Sequence, residues 1–146
     1  MAQNLGDIKA MLDAFGLRPK HRLGQNFLHD ANQMQRIMDA TAIEPGDLVL
    51  EVGPGTGALS VRLLDRGARL VAVEIDIDLQ PILDSQFEPY EGRAQLIIGD
   101  ALDGKHAINP AIIAAMGGEP FKLIANLPYN IASPLLINLV IDHPGM

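Results

Sequence analysis

Residues 48–57 read LVLEVGPGTG, an apolar run that meets glycines at positions 53, 55 and 57. Few sequences constrain a fold as tightly. A short apolar stretch of this length is a buried strand, and ALSVRLLDRG after it has the spacing of a helix, so the glycines form a strand-to-helix turn. Glycine lacks the Cβ that would hold a ligand away from the backbone, so Gly53, Gly55 and Gly57 bring a ligand against bare peptide. That is the ligand-binding turn of a doubly wound α/β domain, and the ligand it implies contains adenosine.

The flanking chain repeats the strand–helix alternation. Strands are expected at Leu48–Val52, Leu70–Val73, Gln95–Ile98 and Lys122–Ala125, and helices at Ala58–Arg66, from Pro81 through Phe87, and at Ala111–Met116 behind Pro110. A last apolar helix is expected around Pro134–Ile141. Ahead of the glycine turn, Leu5, Ile8, Met11, Leu12 and Phe15 share one helical face ended by Gly16, and Asp30 can cap a second helix bearing Met34, Ile37, Met38 and Thr41. Between those helices, RPKHRLGQNFLHD is a polar, basic loop whose Phe27 and Leu28 need burial. Alternation of this kind builds a parallel sheet whose strand ends share one edge, where ligands bind. Four strands make half of a usual doubly wound sheet, so an incomplete parallel sheet and the front part of a longer design are expected.

Composition narrows the class. With 146 residues, 48% hydrophobic and 20% charged, the chain can bury a core. The absence of cysteine excludes disulfides and thiolate metal sites, and no metal site is expected. No apolar run approaches the roughly 20 residues of a membrane helix, and the amino terminus lacks a signal-peptide pattern, which makes a cytoplasmic protein without membrane contact the default. A net charge of −7 is unusual for a protein that holds nucleic acid, and Arg18, Lys20, His21 and Arg22 are the one dense basic patch.

The polar residues at the strand ends carry the chemistry. Glu74, about 20 residues beyond the start of the glycine turn, can accept hydrogen bonds from both hydroxyls of a ribose, or be a solvated strand-end acid. Asp100 can bind the exocyclic amine of an adenine sandwiched by Ile75 and Ala101, or cap a turn. Gly53, Gly55 and Ala58 satisfy a dinucleotide fingerprint, whereas Gly53, Gly55 and Gly57 suit the loop of S-adenosylmethionine enzymes. The first spacing keeps a nicotinamide-dependent oxidoreductase open. Asn126-Leu127-Pro128-Tyr129 decides for the second. If the acceptor is an adenine amino group, the Asn126 side-chain carbonyl and the Leu127 backbone carbonyl can each take one of its hydrogens. The nitrogen lone pair is then freed for in-line attack on a sulfonium methyl. Pro128 stiffens the turn, and Tyr129 offers a face on which a flipped-out base stacks.

These blocks together resemble the ribosomal RNA adenine dimethyltransferases. The residues that carry the resemblance are Leu23-Gly24-Gln25-Asn26-Phe27-Leu28, Glu51-Val52-Gly53-Pro54-Gly55-Thr56-Gly57, Val73-Glu74-Ile75-Asp76, Gly99-Asp100-Ala101 and Asn126-Leu127-Pro128-Tyr129-Asn130-Ile131. The resemblance implies a Rossmann-like S-adenosylmethionine-dependent methyltransferase fold. It also implies dimethylation of two adjacent adenosines near the 3′ end of small-subunit rRNA, within the assembling small ribosomal subunit. By the same resemblance Asn26 and Leu28 lie over the cofactor, with Gln25 and Phe27 shaping the acceptor entrance. Gly53 approaches the methionine portion, Glu74 the ribose, Asp100 the adenine and Asn126 the methyl-transfer centre. A related branch methylates large-subunit rRNA, but the wording of GQNFL and NLPYNIASP is closer to the small-subunit enzymes.

The expected organisation is residues 1–47 as amino-terminal helices and cofactor lid loop, and residues 48–146 as the first half of the methyltransferase domain. The family's remaining strands and basic carboxyl-terminal domain have no counterpart in this sequence, which implies weak cofactor binding and impaired methylation by the short chain. A non-catalytic RNA or ribosome-assembly module is the other alternative.

Overall fold

The computed structural model describes residues 5–17, 31–101, 108–127 and 135–141. Helices α1 (Leu5–Ala14) and α2 (Ala31–Thr41) precede strand β1 (Leu48–Val52). Then come α3 (Ala58–Asp65), β2 (Arg69–Glu74), α4 (Gln80–Phe87), β3 (Ala94–Ile98), α5 (Pro110–Met116), β4 (Phe121–Leu127) and β5 (Leu135–Ile141).

The strands form one sheet in the order β3-β2-β1-β4-β5. β1 pairs in parallel with β2 on one side and β4 on the other, and β2 pairs in parallel with β3. The chain therefore steps outward from β1 to β3 and then returns to the far side of β1. That reversal is a topological switch point, and the crevice beyond the carboxyl ends of β1 and β4 is where such sheets bind ligands.

Period-2 alternation sorts the strand residues between two unequal layers. Val49, Leu70, Ala72 and Ile124 face the larger core, with Leu59, Leu63 and Leu64 of α3 and Ile82, Leu83 and Phe87 of α4. Leu12 of α1 and Met34 and Met38 of α2 join the same core, so the amino-terminal helices pack into it. Phe15 lies beyond the end of α1 and is exposed, outside the helix face expected to hold it. On the opposite face Leu48, Leu50, Val71 and Val73 meet Ile112 and Met116 of α5.

The segment expected as a last helix is instead a strand. β5 runs antiparallel to β4, with Phe121 opposite Ile141 and Leu127 opposite Leu135, so the four-stranded parallel sheet gains an antiparallel fifth strand. Two physical reasons account for the difference. LLINLVI is apolar at every position but Asn138, and a run of this kind has no periodicity that separates buried helix from buried strand. The connection is also short. Only residues 128–134 separate the two strands, enough for an antiparallel return but below the dozen or more that a parallel crossover requires. Pairing satisfies the outer backbone groups of β4, which the expected helix would have left as an open edge.

Candidate functional site

The glycine turn is held from three directions. The Gly53 N–H donates to the Val73 carbonyl (2.9 Å), drawing the turn across the end of β2, and the Gly57 N–H closes back on the Pro54 carbonyl (2.9 Å). The third bond comes from Glu74, whose Oε1 accepts the Gly55 N–H at 3.1 Å. Gly53, Gly55 and Gly57 have φ of 77°, 62° and 86°, a region that side chains with a Cβ adopt only with strain.

The three glycines do different work. A Cβ on Gly57 would lie 3.3 Å from Leu83 Cδ2 and 3.5 Å from Gln86 Cγ, so its bare face is filled by α4. Gly57 serves helix packing, and the expectation of ligand approach narrows to Gly53 and Gly55.

Glu74 is buried at the end of β2, and its second oxygen accepts the Asp76 N–H at 3.0 Å. Burial raises its pKa above the usual carboxylate range, while the N–H groups of Asp76 and Gly55 act against that shift. Each carboxylate oxygen has a second lone-pair direction, so the group can hold the turn and still accept from a ribose diol. Next to it Ile75 projects 56% exposed, an apolar surface at the carboxyl edge.

Glu51 occupies the same layer one strand over. It is 2% exposed, and its Oε1 accepts the hydroxyl of the fully buried Ser60 at the start of α3. Burial pushes its pKa up to about 7, with the Ser60 hydrogen bond lowering it and the Glu74 charge raising it. Glu51 ties the strand before the turn to the helix after it. The sequence, in which Glu51 is the lone acid of an apolar strand, groups it with the polar residues at the ligand edge, whereas in the structure its carboxylate faces α3.

Asp100 follows β3 after a single residue, Gly99. The Gly99 N–H donates to the Glu74 carbonyl (2.8 Å), which brings Asp100 beside the end of β2. Asn109, missed from sequence, shapes this turn: its Nδ2 donates to the Asp100 carbonyl (2.7 Å), and its Oδ1 caps α5 by accepting the Ala111 N–H (2.9 Å). An Asn-Pro pair opening an apolar helix is the legible cap signal.

Asn126 and Leu127 end β4. The register Val52–Ala125 sets Asn126 one residue past the end of β1, alongside the start of the glycine turn. The strand ends thus present Asp100, Glu74, Gly53 with Gly55, and Asn126 in that order across the edge. Three inter-strand steps cover about 14 Å. Asn26, Leu28, Pro128 and Tyr129 lie outside the described residues, as do Gln25, Phe27 and the basic run from Arg18 to Arg22.

Among the described residues no group of three or more His, Asp or Glu side chains could hold a metal ion. No described helix is long and apolar enough to cross a membrane.

The chain is 42% identical over 144 residues to a ribosomal RNA small subunit methyltransferase A from Nocardia farcinica, covering 96% of this chain and 47% of the relative. It is 41% identical over 145 residues to the protein of the same name from Cutibacterium acnes, covering 97% and 46%. The chain therefore spans about half the length of the curated relatives it matches. Among solved structures, a dimethyladenosine transferase from Plasmodium falciparum superposes with a TM-score of 0.51 at 20% identity, over 69% of this chain and 43% of the other. An RNA methyltransferase from Salinibacter ruber, solved with S-adenosyl-L-homocysteine, gives 0.51 at 15% identity over 77% and 92%. These two likenesses show a Rossmann-like methyltransferase fold. A family model described as ribosomal RNA adenine dimethylase matches residues 16–146, and the chain belongs to that family.

Proposed function

We propose that this chain carries the cofactor-binding and methyl-transfer elements of an S-adenosylmethionine-dependent rRNA adenine methyltransferase. The product on this reading is a pair of adjacent dimethylated adenosines near the 3′ end of small-subunit rRNA. The observation that carries the proposal is the order of groups along the sheet edge: Asp100, Glu74, the Gly53–Gly55 turn and Asn126. That order matches the parts of an extended ligand, from adenine through ribose and methionine to the transferable methyl. The names of the relatives support a small-subunit acceptor, and the family supports methyl transfer over nicotinamide chemistry.

The residues fit the cofactor. Glu74 has acceptor capacity beyond the two backbone N–H groups it holds, and Gly53 and Gly55 keep the turn free of side chains. When bound, S-adenosylmethionine supplies an electrophilic sulfonium methyl. The chain does the rest by positioning and electrostatics. Asn126 and the Leu127 carbonyl accept the two hydrogens of the target amine, Pro128 rigidifies the turn, and Tyr129 stacks on the base. The methylated nitrogen is acidic enough to lose its proton to water. Asn26 and Leu28 close over the cofactor from the amino-terminal side. We assign residues 1–47 to the helices and lid, and residues 48–146 to the first part of the catalytic domain. RNA affinity comes in part from the basic run Arg18–Arg22 and in part from the length the relatives have beyond this match. The compartment is that of ribosome assembly, the cytoplasm.

Two measurements test the proposal. Calorimetric titration is expected to show binding of S-adenosylhomocysteine and not of NADH, and the reverse preference overturns it. Mass analysis of rRNA from cells lacking the gene is expected to show both dimethyladenosines missing, with recovery on return of the wild-type gene but not of Asn126→Ala. Unchanged rRNA in the deletion would sink the assignment.

A further inference from the structure

Helix α4 does more than fill a layer. Leu83 and Gln86 lie on the face that meets Gly57, and the Gln86 stem packs where that glycine's Cβ would be. The amide of Gln86 reaches further: its Nε2 donates to the Thr56 carbonyl at 3.4 Å and to the Met11 sulfur at 3.5 Å. Thr56 lies inside the glycine turn and is 2% exposed. Met11 belongs to α1 and is packed on the core beside the buried Leu12. One side chain on the flank of α4 therefore touches both the glycine turn, at Thr56, and the amino-terminal helix, at Met11, two segments far apart in sequence.

We propose that Gln86 is a positioning residue that couples α1 to the glycine turn, so that docking of the amino-terminal helix and the shape of the cofactor loop are set together. Backbone bonds from Gly53, Gly55 and Gly57 fix the floor of the turn, through Val73, Glu74 and Pro54. The Thr56 carbonyl, between the second and third of these, is oriented by Gln86. Rotating that peptide would carry the Gly57 N–H with it, because the two belong to one plane. A side chain that holds the carbonyl thus also holds the N–H that closes the turn on Pro54.

Hydrogen exchange on the ligand-free chain tests the coupling directly. Gln86→Met keeps the stem against Gly57 but has no donor, and Gln86→Lys keeps a donor of similar reach. In Gln86→Met, amides of the 53–58 turn are expected to exchange about three- to tenfold faster, the range for one lost hydrogen bond, with the melting temperature nearly unchanged. Gln86→Lys is expected to exchange like the wild type. Met11→Ala is expected to loosen the same turn from a distance. Wild-type exchange in Gln86→Met overturns the proposal, as does equal loosening in Gln86→Met and Gln86→Lys, which would assign the effect to packing. Wild-type turn exchange in Met11→Ala overturns the coupling to α1. Affinity for S-adenosylhomocysteine, measured alongside, is expected to fall by a similar factor in Gln86→Met. This last arm rests on the cofactor reading: a wild-type chain that fails to bind S-adenosylhomocysteine counts against that reading, while the exchange data still decide the role of Gln86.

Discussion

The two edges of the parallel sheet solve the problem of charge in opposite ways. At the amino edge, charges are paired with charges. Arg69 at the start of β2 meets Glu119 through two bonds of 3.0 and 3.1 Å and also donates to the Gly46 carbonyl. Lys122 of β4 meets Asp47 at 2.9 Å and the Ala42 carbonyl at 2.9 Å. At the carboxyl edge, the buried acids are held by neutral donors: Glu74 by two backbone N–H groups, Glu51 by a hydroxyl. Charge neutralised by a neighbour is useful only for stability. A buried carboxylate held only by neutral donors has its charge disfavoured, as the raised pKa values of Glu51 and Glu74 show, and it costs stability once ionised. On the proposed reading the carboxyl edge is the one that meets the ligand, while the paired charges of the amino edge join neighbouring segments.

The largest test of that comparison is Glu51→Gln, which keeps an acceptor for Ser60 but removes the ionisable group. The folded pKa of about 7 lies above the reference 4.5, so the native state binds the extra proton and Glu51 loses stability as pH rises from 4.5 through 7. Glu51→Gln is expected to match the wild type at and below pH ~4.5 and to exceed it at pH ~8 by about 3 kcal/mol in urea unfolding. A remaining downward slope would belong to Glu74, whose pKa is raised in the same direction. A variant less stable than wild type at pH ~8 would mean that the carboxylate is stabilising, and the contrast between the edges would fail.

Asp47→Asn probes the other edge and carries the opposite sign. The hydrogen bond from Lys122, with that of the Glu44 N–H, holds the Asp47 carboxyl below its reference 3.8. Its stabilisation is present above that value and lost as pH falls through the lowered folded pKa. The pair is partly exposed, so Asp47→Asn is expected to cost about 0.5–1 kcal/mol near neutral pH, less in high salt, and nothing under strongly acid conditions. Equal loss at all pH values would mean that the cost does not come from the charge of Asp47, and the ion pair would carry none of it.

The smallest effect concerns Ala42, which follows α2 with φ of 49°, the left-handed conformation in which glycine is preferred. Its carbonyl is the second acceptor of Lys122, so it anchors the amino edge. Ala42→Gly is expected to raise stability by about 0.5–1 kcal/mol, read as a shift in the thermal midpoint, without disturbing the carboxyl edge. A loss instead would show that Lys122 depends on the restricted backbone of Ala42.

Strand and helix identities up to β4 were legible because each rests on local information. β1 is an apolar run stopped by glycines, α4 and α5 carry a proline in their first turn, and Gly67 stops α3 just past its last turn. Glu74 and Asp100 were legible for the same reason, since strand ends announce themselves where an apolar run meets an acid. β5 was not legible, because an apolar run without a polar face gives no period to read, and pairing across a seven-residue connection decided it. Gln86 was not legible either: a glutamine on an eight-residue helix carries no local signal, and its role exists only where α4 crosses the glycine turn.

By itself, then, the amino-acid sequence determined the fold class, the glycine turn and the family, because these depend on spacing along the chain. Tertiary structure alone decided that Gly57 serves packing, that Glu51 and Glu74 are buried acids of one layer, and that the β1–β4 register sets Asn126 one residue past the end of β1. Burial, strand register and approach between helices are properties of pairs of distant residues, and no local pattern encodes them.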